Sequence, residues 1–207
     1  RHDLTLAELE TEEIVPVIKK WQGEYKSLGS MPEINHIQIF ENKGEIMGCS
    51  NPHPHGQVWA QESIPVESSK EYRQQEAYFK KHGRLLLQDY VQLELEKDER
   101  IVYENESFVL LVPFWACWPF ETMILPKRII SNILMLTSKE ILDYADILET
   151  VTVKYDNIFK TSFPYSAGIH QSPTDGKEHF ELQMHMHFHP PLLRSATVKK
   201  FMVGYEM

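Results

Sequence analysis

Residues 185 to 189 read His-Met-His-Phe-His, and this strict alternation of imidazole with apolar side chains constrains the chain more than any other feature. A strand sends successive side chains to opposite faces, so His185, His187 and His189 share one face and Met186 and Phe188 the other. A helix would scatter them. A solvent-facing polar row would show the same spacing, but imidazoles at steps of about 7 Å repel one another once protonated. Neutral rings holding a metal or a phosphate explain the arrangement better. His170 ends the preceding strand-like segment, across a turn, and can complete a cluster. Zinc or iron would then need one more ligand, a carboxylate.

The segments around this row predict an α+β chain. Ile14, Val17/Ile18, Trp21, Tyr25 and Leu28 recur at helical spacing over Thr11 to Leu28, with Thr11 as cap, Gly29 as stop and Pro16 as a weak point. Ile34 to Phe40 alternates as a strand, a Gly/Asn-rich loop runs from Asn42 to Pro54, and His55 to Gln61 reads as a second strand. Glu67 to Tyr90 is charged and helical in spacing, and Ile101–Tyr103, Phe108–Val112 and Thr122–Leu125 are strand-like. Thr137 to Phe159 is the clearest helix, opened by the capping box Thr137…Glu140. Pro164–His170 and Phe180–His189 close the set as strands. The order helix, strand, loop, His-x-His strand occurs twice, with His53-Pro-His55 and His185-Met-His187 lying 132 residues apart. A duplicated α+β unit with an antiparallel sheet follows, divided at residues 1–82 and 83–207.

The first histidine segment is Gly48-Cys-Ser-Asn-Pro-His-Pro-His-Gly-Gln57. Pro52 and Pro54 fix φ and stiffen the loop, and Gly48 and Gly56 permit close approach of a bound group. The amides of Cys49 and Ser50, with the Ser50 hydroxyl, suit a phosphate. A rigid turn with surface histidines is the plain alternative; stiffness, donors and paired imidazoles together favour a catalytic loop.

Charge and composition narrow the classes. The 207 residues carry a formal charge of −9 and no basic run longer than Lys199-Lys200, which argues against a nucleic-acid surface. The apolar run Phe108 to Phe120 has 13 residues and two prolines, against about 18–20 for a membrane span. The cysteines Cys49 and Cys117 cannot build a disulfide framework, so with no signal-peptide pattern the expected setting is a reducing cytoplasm. A start at Arg1 and a stop at Met207, directly after an apolar run, read as part of a longer protein.

Longer motifs carry a resemblance. Phe40-Glu-Asn-Lys-Gly44, the segment 48–57, Pro119-Phe-Glu-Thr122 and the stretch Pro190 to Glu206 resemble the galactose-1-phosphate uridylyltransferase family of the histidine-triad superfamily, across residues 1–207. The resemblance implies two histidine-triad-like halves, an antiparallel half-barrel sheet with flanking helices, and a chain lacking the family's N-terminal third and C-terminal tail. It implies transfer of UMP between UDP-glucose and galactose 1-phosphate, with His55 as the nucleophile that holds the uridylyl group. Neutral imidazole, with a pKa near ~6.5, is a competent nucleophile at neutral pH, and its phosphoramidate can pass the group on. Gln57 stands where histidine-triad hydrolases carry a third histidine. A carboxamide donates hydrogen bonds to phosphoryl oxygens but cannot move a proton, which denies water its helper.

The resemblance also assigns Ser50 to a phosphate contact, and Asn42, Gly48 and Cys49 to the nucleotide. Lys200, Phe201, Val203, Tyr205 and Glu206 match a hexose-phosphate segment offered across a homodimer. Glu71, His170, His185 and His187 match ligands of a second metal site, iron or zinc. His2 and His53 match half of a zinc site whose cysteine ligands lie before Arg1. The resemblance leads us to expect an aromatic residue at position 189, where this chain has histidine. Two other readings remain at this level: a histidine-triad hydrolase or phosphorylase, disfavoured by Gln57, and a metal-binding module without turnover.

Overall fold

The computed structural model describes residues 4–49 and 55–191. Helix α1 spans Thr11–Gly29, and its cap is Glu10 rather than Thr11. Glu10 has the extended backbone a cap requires, and its amide donates to the Glu13 carboxylate at 3.1 Å. The Thr11 hydroxyl is turned instead to Glu149. Pro16 sits inside the helix without ending it. It forfeits one backbone hydrogen bond, which burial of Ile14, Ile18, Trp21 and Tyr25 offsets.

The charged segment expected as one helix is two, α2 at Val66–His82 and α3 at Leu86–Lys97. Gly83 between them has φ 68°, a left-handed conformation that closes the first helix, and its amide caps the Phe79 carbonyl. Helix α4, Ser138–Phe159, begins at the Thr137–Glu140 capping box as the sequence predicts.

Seven strands form one open, wholly antiparallel sheet: β1 His36–Lys43, β2 Gly56–Gln61, β3 Ile101–Glu104, β4 Phe108–Leu111, β5 Thr122–Pro126, β6 Tyr165–His170 and β7 His185–His189. The order across it is β2-β1-β6-β7-β5-β4-β3. Strand β1 runs on through Asn42 and Lys43, expected in a loop, because these residues pair with Ser166 and Tyr165 of β6. Strand β7 starts at His185, not Phe180. The Gln183 and Met184 amides are taken by the Gln75 side chain and the Ile130 carbonyl, which pulls that stretch out of the sheet.

The doubled order of the sequence is laid out about the β1–β6 pair. Strands β1 and β6 lie side by side, with β2, which His55 precedes, beyond β1 and the histidine-bearing β7 beyond β6, while α1 and α4 pack together behind. Alternation then sorts the faces. Ile37, Ile39, Ala167, Ile169, Met186, Phe188, Ile124, Phe108 and Leu110 face α1 and α4 in the main core. The opposite face carries His36, Gln38, Phe40, Asn42, Ser166 and His170 beside the β7 histidines. Helix α3 covers the far end of that face, where Leu87 and Val91 meet Val109, Leu111, Met123 and Leu125. Among the described residues no helix is long and apolar enough to cross a membrane.

Candidate active site and metal centre

The two histidine segments occupy unlike places. His55, half-buried, immediately precedes β2, whose outer side carries no strand among the described residues. It lines a cavity of about 420 Å³ with Gly56, Glu41, Trp21 and the leucines of the N-terminal segment. Glu41 is buried on the α1 side of the sheet and accepts a hydrogen bond from the Tyr165 hydroxyl at 2.9 Å. Burial pushes its carboxyl above the usual range, against the Tyr165 bond and the charges of Lys43 and His55. Sequence reasoning passed over Glu41. Its signal was a carboxylate at the third apolar-face position after Ile37 and Ile39.

Asn42 projects from β1 on the other face. The Ser166 hydroxyl donates to its Oδ1 at 2.6 Å, and its buried Nδ2 has no partner among the described residues. An orphaned buried amide has a donor ready for a ligand oxygen. Gly48, at φ 76°, closes the short turn after Gly44, and Cys49 beside it is half-buried. Gln57, half-buried, pairs with Phe40 in the β1–β2 ladder. Ser50, His53, His2 and Lys200, Phe201, Val203, Tyr205 and Glu206 lie outside the described residues.

The second segment is interior. Strand β7 lies between β6 and β5, and the ladder sets His170 opposite His185. Glu71 reaches the same place from α2. One ligand atom from each of Glu71, His170, His185 and His187 lies within 4.8 Å of the others. The His170 Nδ1–H donates to the Glu71 carboxylate at 2.8 Å and leaves Nε2 buried without a partner among the described residues. The His185 Nδ1–H donates to the Gln183 carbonyl at 3.0 Å, which turns the Nε2 lone pair toward Glu71, 3.8 Å away. Burial, then His170, pushes His185 down to about 4. Burial alone would raise Glu71, but His170, His185 and His36 hold it below the usual carboxylate range. Neutral imidazoles, a carboxylate and an orphaned nitrogen together fit a zinc or iron ion. A second cavity of about 420 Å³, lined by Glu71, His185, His187, Leu86 and Trp115, opens on the cluster and offers an ion a way in.

The two places are separate. Three inter-strand spacings put the β2 and β7 backbones about 14 Å apart.

Comparison with known proteins places this geometry. Residues 1–65 match the family model described as galactose-1-phosphate uridyl transferase, N-terminal domain, and residues 71–207 match that of the C-terminal domain. The galactose-1-phosphate uridylyltransferase of Haemophilus influenzae is 53% identical over 206 residues, covering 100% of this chain and 58% of that protein. That of Saccharomyces cerevisiae is 47% identical over 213 residues, again covering 100% of this chain and 58% of that protein. A solved uridylyltransferase structure superposes with TM-score 0.84 at 26% identity, covering 92% of this chain and 60% of that chain. A galT-like protein from Arabidopsis thaliana gives 0.85 at 25%, covering 95% and 64%. The chain therefore spans under two thirds of these relatives' length.

Proposed function

The chain belongs to the galactose-1-phosphate uridylyltransferase family, and we propose that the protein moves UMP between UDP-glucose and galactose 1-phosphate through a uridylyl group held on His55. The observation that carries this reading is family similarity over the whole chain together with the seat of His55, half-buried on an open cavity rather than locked in the core.

In the first step a lone pair of His55 attacks the α-phosphorus of UDP-glucose. The bond from that phosphorus to the bridging oxygen breaks, and its electron pair leaves with glucose 1-phosphate. In the second step a phosphate oxygen of galactose 1-phosphate attacks the same phosphorus. The P–N bond breaks, its electrons return to the imidazole, and UDP-galactose departs. One hard displacement becomes two easier ones.

Ser50 and Gln57 donate hydrogen bonds to the phosphoryl oxygens, and Asn42, Gly48 and Cys49 border the nucleotide. The free Asn42 Nδ2 supports that role. Gln57 cannot shuttle a proton, so the adduct waits for a sugar phosphate rather than for water. Lys200, Phe201, Val203, Tyr205 and Glu206 take the hexose phosphate in a cytoplasmic homodimer. His2 and His53 supply half of a zinc site. Zinc or iron held by Glu71, His170, His185 and His187 would supply a structural cross-link between α2 and the β6–β7 hairpin.

The test is covalent labelling. Full-length protein incubated with UDP-glucose bearing a labelled uridine keeps UMP on His55, seen by peptide mass spectrometry, and releases it to galactose 1-phosphate faster than to water. Absence of any adduct would falsify the transfer reading; faster release to water would make the protein a hydrolase.

A further inference from the structure

His189 is the residue at which this chain departs from the aromatic side chain its resemblance implies, and its surroundings give the change a purpose. Strand β5 pairs Thr122 with Phe188, so Glu121, one residue earlier, falls beside His189. Ligand atoms of Glu121, His187 and His189 lie within 4.8 Å of one another. All three residues are more than nine-tenths buried, at 4%, 8% and 8% exposure. The Nδ1 atoms of His187 and His189 have no hydrogen-bond partner among the described residues. The His189 Nδ1 stands 4.0 Å from Glu121 Oε2, too far for a hydrogen bond and wide enough for both to face one ion.

The carboxylate is held in place. Backbone amides of Cys117 and Trp118 donate to Glu121 Oε2 at 2.9 and 3.1 Å. The ring of His189 is steadied by Trp118 at its edge, with centroids 5.7 Å apart. His187 and His189 lie nearly parallel, 17° between planes and 5.4 Å between centroids. Two orphaned nitrogens in one buried place, beside an oriented carboxylate, call for a cation.

We propose that Glu121, His187 and His189 form a further cation site, specific to the histidine at 189, that takes a divalent transition ion of the zinc class and shares His187 with the Glu71–His170–His185–His187 centre. The shared ligand, and only that, rests on the reading of the neighbouring centre. An imidazole has two nitrogens on opposite edges, so one ring can serve both sites, giving up its remaining proton when both are filled. Three protein donors leave a tetrahedral ion one open position.

Metal counting decides it. Full-length protein is stripped, reloaded with zinc, desalted and measured by elemental analysis, with circular dichroism confirming the fold. His189→Tyr, which keeps a ring of similar size, and Glu121→Gln each hold one zinc per chain fewer than the unaltered protein. His185→Ala holds one fewer for the neighbouring centre, and His187→Ala two fewer. Cobalt(II) loading gives a second readout, with one component of the visible absorption missing in His189→Tyr. Equal zinc counts and spectra for the unaltered protein, His189→Tyr and Glu121→Gln overturn the proposal. A His185→Ala count that does not fall speaks against the neighbouring centre alone.

Discussion

The two histidine segments meet the sheet at β2 and β7, the strands flanking the β1–β6 pair, yet they are different environments. Every residue of β7 is buried between two neighbouring strands. Strand β2 lies beyond β1 with its residues exposed or half-buried, and His55 opens on a cavity. A buried imidazole loses its proton and keeps its lone pair, which suits an ion and excludes a bulky nucleotide. A half-buried imidazole at the mouth of a cavity can reach a phosphorus and release it. By pattern alone the fuller His-x-His-x-His row is the better candidate nucleophile. The family resemblance chooses His55 instead, and the burial of β7 favours the same reading.

The sharpest way to break the contrast is to exchange its losses. His55→Ala in the full-length protein removes the labelled adduct and lowers transfer by about 10⁴-fold or more, with little change in thermal stability. His185→Ala does the opposite, keeping the label while losing bound metal and the stabilisation the metal gives. Labelling that survives His55→Ala and vanishes in His185→Ala would invert the assignment of the two strands.

Acid probes the buried side. His36, on β1, is 4% exposed, and burial, then His170, pushes it down to about 4. The unfolded chain takes up that proton near ~6.5 and the folded chain only near 4, so stability is full above ~6.5 and falls as pH drops toward 4. The contribution at stake is about 3 kcal/mol, to be read from urea midpoints of metal-free protein at stepped pH. His36→Gln flattens that part of the profile; an unchanged slope would remove His36 as its source.

Glycines grade the two ends of the segment that joins β1 to β2. Gly44 has φ 90°, and a Cβ there would stand 2.8 Å from the Pro164 Cβ, so Gly44→Ala costs about 2–3 kcal/mol in chemical denaturation. At Gly56 an added Cβ would meet, among the described residues, the Phe40 carbonyl oxygen and Trp21 Nε1, both at 3.7 Å. Gly56→Ala therefore shifts stability by less than about 0.5 kcal/mol. A larger loss at Gly56 than at Gly44 would mean that the edge strand is packed more tightly than the interior turn.

Elements with strong local signals were legible in the sequence. The Thr137–Glu140 box marks the start of α4, and alternation marks β1, β2 and β7. Signals that depend on a distant partner were not. Glu10 displaced Thr11 as a cap because Thr11 found Glu149 across the helix pair. Asn42 and Lys43 joined β1 because β6 was there to pair with them. Gly83 was legible in principle, but the helical spacing on either side masked the break.

Local pattern and motif thus determined the antiparallel α+β class, the doubled order and the family. Which imidazole is sealed and which is open, and that Glu41 and Glu121 attend them, were decided by the fold alone. Glu71 and His170 are 99 residues apart, and Glu121 and His189 meet only because β5 lies against β7. The physical reason is that strand order and helix docking, set by the burial of one whole sheet face, decide what stands beside a side chain. No window along the chain contains that information.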